Sequence, residues 1–162
     1  MLFRSFVPSS SAASWGSNYA NAELYNKTFD YYQEFNGLPA GTYEVRVQGF
    51  YRAGTAADDY ANLSDESLNN AQLYATTGDE VTRATALTRL GAEAQEGYEM
   101  DGYVVVGEMY IVPNTMDTAG DTFMQDLYLN NSVVTKVGED GYLRVGLKKD
   151  VELASDWTLF DN

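Results

Sequence analysis

Cysteine and histidine are both missing from the 162-residue chain. Without cysteine there is no disulfide scaffold, no thiolate zinc site and no thiol nucleophile. Without histidine, Ser-His-Asp and Cys-His catalysis and imidazole metal sites are closed to it as well. Any enzymatic reading has to run on carboxylates, lysine, tyrosine or a Ser-Lys pair. Basic residues are scarce: 10 Lys and Arg stand against 24 Asp and Glu, for a formal net charge of −14. Such a surface repels phosphate backbones and anionic lipid, so nucleic acid and membrane surfaces are poor partners, whereas neutral ligands and cations are compatible with it. No apolar run approaches the roughly 20 residues that a membrane-spanning helix needs. Phosphate-binding Gly-rich loops, dinucleotide fingerprints and G-x-S-x-G elbows are absent too.

What is present is aromatic and β-like. Aromatic residues make up 14% of the chain and 13 residues are Tyr, which suits sandwich cores and sugar-stacking surfaces alike. Residues 1–18 are rich in Ser and Ala and read as a flexible lead-in or linker, with 19–162 as one domain. In residues 42–52 (TYEVRVQGFYR), Tyr43, Val45 and Val47 share one face and Glu44, Arg46 and Gln48 the other. This period-2 pattern is that of an antiparallel strand with one wet face. Gly49 disturbs the phase ahead of Phe50 and Tyr51, which predicts a bulge and a bend.

Residues 71–77 (AQLYATT) read as a strand followed by a hairpin-like turn, and 103–112 (YVVVGEMYIV) as one near-continuous apolar strand. Residues 53–70 read as a polar loop with room for a helical turn. Met116, Ala119, Phe123, Met124 and Leu127 recur at roughly helical spacing, predicting one short helix over 115–125. VVTKVGEDGYLRVGLKK predicts a hairpin turning at Asp140-Gly141. DWTLFDN closes as a last strand. About eight antiparallel strands, one short helix and no βαβ rhythm point to an all-β, jelly-roll β-sandwich.

The stretch NAELYNKTFDYYQEFNGLPAGTYEVRVQGFYR, the order Val112-Pro113-Asn114-Thr115-Met116, the helix and Tyr128-Leu129-Asn130, and the closing DGYLRVGLKK and WTLFDN together resemble galactose-binding-like jelly-roll modules of secreted, multi-domain bacterial proteins. The resemblance spans roughly residues 20–162. It implies an extracytoplasmic module that binds carbohydrate or serves as a passive scaffold beside other domains of a larger parent protein. In carbohydrate-binding relatives a carboxylate on the first strand and another on the last hold a structural calcium, and Glu23 and Asp161 are similar in position to those.

Three further groups carry candidate chemistry. Trp15, outside the alternating segments, offers an indole face that could stack on a sugar or plug the end of the sandwich. Tyr51 and Arg52 end a strand beside a polar loop and combine a stacking face with a fork of donors, against the alternative of a core Tyr and a paired Arg. Asp58, Asp59, Asp65 and Glu66 crowd one loop, but their spacing is not that of an EF-hand and a solvated loop explains them. A glycosidase would need two carboxyl groups facing across a cleft, which an excess of acids supplies by chance, so the expected function is non-catalytic. It is carbohydrate binding, with Trp15, Tyr51 and Arg52 as ligand contacts and calcium at Glu23 and Asp161; the alternative is a structural or adhesive surface domain with no small ligand.

Overall fold

The computed structural model describes residues 7–8, 14–15 and 21–161. Its strands are β1 (Val7–Pro8), β2 (Ser14–Trp15), β3 (Ala22–Tyr25), β4 (Phe29–Phe35), β5 (Gly41–Arg52), β6 (Ala71–Thr77), β7 (Thr82–Ala86), β8 (Gln95–Glu96), β9 (Tyr103–Val106), β10 (Tyr110–Pro113), β11 (Asn131–Val137), β12 (Leu143–Lys149) and β13 (Trp157–Asp161). The helices are α1 (Ala56–Ala61) and α2 (Met116–Met124). One five-stranded sheet has the order β1-β4-β12-β6-β7 and the other β11-β5-β13-β3-β2. Every pairing within them is antiparallel. Setting aside the two-residue edge pieces, β4-β12-β6-β7 faces β11-β5-β13-β3, and the chain passes from sheet to sheet at almost every connection. That is the two-sheet jelly-roll arrangement. The lead-in joins it at two points, because β1 pairs with β4 and β2 with β3.

Period-2 alternation explains the inner faces. Leu143, Val145 and Leu147 of β12 point inward beside Leu73 and Ala75 of β6 and Tyr31 of β4. Ala22, Leu24, Val45, Tyr51, Val133 and Phe160 meet them from the other sheet. A second core lies on the far side of that other sheet. There Phe50, Trp157 and Leu159 are covered by Val106 and Val112, by Ala119 and Phe123 of α2, and by Tyr128. The Phe50 ring sits 5.0 Å from both Trp157 and Tyr128, centroid to centroid. Adjacent Phe50 and Tyr51 are therefore both fully buried, on opposite faces. The expected bulge is not there: β5 runs without an inserted residue, pairing with β11 through Val47 and with β13 from Gln48.

Two turn readings also change. Residues 103–112 are not one strand but the hairpin β9–β10, reversed at Gly107, whose φ of 60° favours glycine. With β8 this hairpin makes a three-stranded sheet, order β8-β10-β9, that sits over the second core. Asp140-Gly141 does turn the chain, with Gly141 at φ 67°, but β11 and β12 lie in different sheets and do not pair. The turn is a crossover, pinned where Leu38 N–H donates to Gly141 O at 3.0 Å. The predicted helix is α2, capped by Thr115, whose hydroxyl accepts from Thr118 N–H. The polar loop after β5 contains α1, capped by Thr55.

Buried polar groups tie the elements together. Asn131 donates to Gly49 O at 2.8 Å and accepts from Thr88 N–H at 2.7 Å, where β5 changes partner. Asp59 accepts from Arg89 Nε at 2.6 Å, Ala53 N–H at 2.7 Å and Gly91 N–H at 2.8 Å, with both charged residues buried. Asp59 is thus a structural ion-pair partner, while Asp58 and Asp65 accept hydrogen bonds at the starts of short helices.

Candidate functional site

Two of the ligand contacts expected from the sequence, Tyr51 and Arg52, are buried on opposite faces of one sheet. Tyr51 is wholly inside the sandwich, where burial pushes its hydroxyl up to about 12, so its ring offers no face to a ligand. Arg52 is only 7% exposed. It donates to Asn114 Oδ1 at 2.9 Å and to Ser155 O at 3.0 Å and lies 5.1 Å from the Trp157 ring centroid. The same sheet register that places Tyr51 inward places Arg52 against the second core, so the pair divides between two interiors instead of framing an edge. Trp15 is on β2, an edge strand paired with Ala22, and not on a loop; its side chain lies outside the described residues.

Glu23 and Asp161 sit on the neighbouring strands β3 and β13. Glu23 Oε1 accepts from the Trp157 indole N–H at 2.8 Å. One residue before β3, at the level of Asp161, the side-chain oxygen of Asn21 is buried with no hydrogen-bond partner. These three residues offer oxygens that fit a hard cation in kind. Such a cation takes six to eight of them, however, and no group of three or more acids is placed to hold a metal among the described residues.

A concave feature with mixed chemistry lies elsewhere, between the three-stranded sheet and the C-terminal half of α2. It is a groove of about 340 Å³. Ile111 and Pro113 of β10 and Thr122 of α2, all buried, form its floor, and the half-buried Tyr103 ring lines it. Gln95 and Glu96 on one side and Gln125 on the other stand exposed at its rim. Local bonds position both amides: Gln95 Nε2 donates to Glu93 O at 2.8 Å and Gln125 Nε2 to Asp121 O at 3.1 Å. An amide has a second N–H and a carbonyl oxygen beyond such a bond. Glu93, also lining the groove, accepts from Tyr128 N–H. The segment after β8 adds Met100 to the lining and carries Tyr98, 86% exposed, beyond the rim.

No protein-family model, curated protein or solved structure matches the chain.

The groove's electrostatics are one-sided. Between Arg89 and Lys136 the chain carries eight acidic residues and no Lys or Arg. The outer face of the β4-β12-β6-β7 sheet also gathers tyrosines, but its groups satisfy one another. Arg144 lies 4.4 Å from the Tyr32 ring centroid. Hydrogen bonds from Tyr142, then Arg144, hold the Glu34 carboxyl below its usual range. Tyr74 is buried and donates to Asp30. Sequence reading missed the groove because residues 91–102 carry no strong periodicity and 103–112 looked like a single strand; Gly107 inside that apolar run was the available signal.

Proposed function

We propose that the chain is a non-catalytic carbohydrate-binding module of a secreted or cell-surface protein, and that the groove between the small sheet and α2 holds the glycan. The supporting observation is the combination found there: a tyrosine ring, the buried Ile111 and Pro113, and two locally anchored amides lining one concavity. Small-molecule sites pair an apolar lining with a few placed polar groups, and in this groove the polar share is the larger. A sugar matches that pairing, with C–H faces for the ring and hydroxyls for the amides and carboxylates. The acidic surroundings select neutral glycans, because uronic and sulfated sugars would be repelled. Glu93 is engaged by a backbone N–H, which suits holding a ligand more than cleaving it.

Glycan-array binding with neutral, uronic and sulfated panels tests the reading. Neutral glycans are expected to bind, and Tyr103→Ala and Gln125→Ala each to weaken binding about tenfold, the loss of one good contact. Absence of binding across a broad neutral panel, or indifference to both substitutions, would reject it. Calcium belongs to this proposal as a stabiliser held by Glu23 and Asp161. A thermal melt should rise on adding calcium, since an ion that binds only the folded form stabilises it, and Glu23→Gln should abolish the rise. An unchanged wild-type melt removes calcium without touching the groove.

The alternative, an adhesive surface domain, draws on a different observation: Tyr98, Met100 and Met109 are more than half exposed on the small sheet's loops. Exposed Met and Tyr are features of protein-contact surfaces. Loss of partner binding in Tyr98→Ala, with the groove variants unaffected, would favour it.

A further inference from the structure

Lys149, the last residue of β12, points into the sandwich between Phe29 and Ala71, its register partners on either side. Its side chain and that of Asp156 are both 0% exposed, and Nζ contacts Asp156 Oδ2. The Tyr51 ring centroid lies 5.8 Å from Nζ. Asp156 is held in place by its surroundings. Its N–H donates to Leu153 O at 3.1 Å, its carbonyl accepts from Asn26 N–H at 3.1 Å, and Oδ2 accepts from Leu153 N–H at 2.8 Å.

As an ion pair this arrangement is under-satisfied. Withdrawing each ion from water costs several kcal/mol, offset only when the remaining protons and lone pairs find partners. Nζ makes no well-aligned hydrogen bond and Asp156 Oδ1 accepts none. An amide in the same place carries no charge and far fewer groups to satisfy.

We propose that Lys149 and Asp156 become joined by an isopeptide bond in the folded protein. The ammonium passes a proton to the carboxylate within the pair. The freed Nζ then attacks Cγ, the Nζ–Cγ bond forms, and Cγ–Oδ1 breaks. Oδ1 leaves as water with two protons that began on Nζ. Oδ2 stays as the amide oxygen, still accepting from Leu153 N–H. No oxidant or co-reactant enters. Fixed contact supplies the effective concentration of an intramolecular reaction, and the dry site removes the ion hydration that opposes condensation in bulk water. The link would close the loop that carries the chain from one sheet to the other, and it stands apart from the glycan reading.

Mass spectrometry of the purified wild-type chain, denatured, reductively methylated and digested, decides the matter without a variant that has to fold. The expected result is a peptide spanning Lys149 and Asp156, lighter by one water, with Lys149 Nζ unmethylated. An Asp156→Ala chain treated identically should show methylated Lys149 and no water loss. A full-mass wild-type peptide with methylated Lys149 overturns the proposal. So does water loss with Lys149 still methylated, because that places the dehydration in the backbone.

Discussion

At the residue scale, most of the informative side chains are buried polar ones. Asp59 is the clearest: three donors converge on its carboxylate, and one of them is the guanidinium of buried Arg89. Asp59→Asn keeps an acceptor but leaves Arg89 charged and uncompensated in the interior. Breaking one side of a buried pair typically costs about 3–5 kcal/mol. Urea unfolding of Asp59→Asn should show a loss of that order. Adding Arg89→Met should recover part of it, since the stranded charge is then gone. A loss below about 1 kcal/mol, the range of exposed pairs, would mean that the pair is not closed off from water. Sequence reading placed Asp59 in a solvated acidic loop because its partner is far away in the chain. No local pattern marks which acid of a cluster turns inward.

At the scale of elements, legibility followed how many faces each one buries. The first half of β5 alternates cleanly because one side is wet. Its second half, like β13, is covered on both sides, so alternation disappears and Phe50-Tyr51 imitated a bulge. The α2 boundaries were visible because cap and apolar stripe agree. Turn chemistry was also visible, as at Asp140-Gly141, but it states that the chain reverses and not with which strand the next segment pairs. In a jelly roll most reversals change sheet, so a turn signal read as a hairpin errs in a systematic way. The groove inherits this limit: its walls come from β8, β9, β10 and α2, of which α2 was legible, β9 and β10 merged into one strand, and β8 was unread. The residues that were singled out, Tyr51 and Arg52, belong to strands that the sequence did reveal, and their burial follows from the second core that it did not.

For the whole molecule, burial places several tyrosine hydroxyls where water scarcely reaches them, two in the cores and Tyr74 on an outer face, and this sets the response to alkaline pH. Burial raises Tyr51 to about 12. Burial is also the leading cause of the upward shift at Tyr74, followed by its hydrogen bond to Asp30, and at Tyr128, followed by Glu93. In the unfolded chain a tyrosine ionises near pH 10, to order of magnitude. The folded protein therefore holds these protons more tightly than the unfolded one, and stability falls with pH wherever the unfolded state has released protons that the folded state retains. The contribution is fully present below about pH 10 and is lost as pH rises through the folded value near 12. On the acid side Glu34 and Glu44 are depressed by surface hydrogen bonds and ion pairs, which contribute little, and the exposed Asp65 and Asp79 by hydrogen bonds from Ser67 and Thr77. Denaturation midpoints should thus decline steeply between about pH 10 and 12. Tyr51→Phe, which keeps the ring and removes the ionising hydroxyl, should flatten the alkaline limb. A wild-type midpoint that holds through pH 12 would show that the sandwich interior admits water at this position.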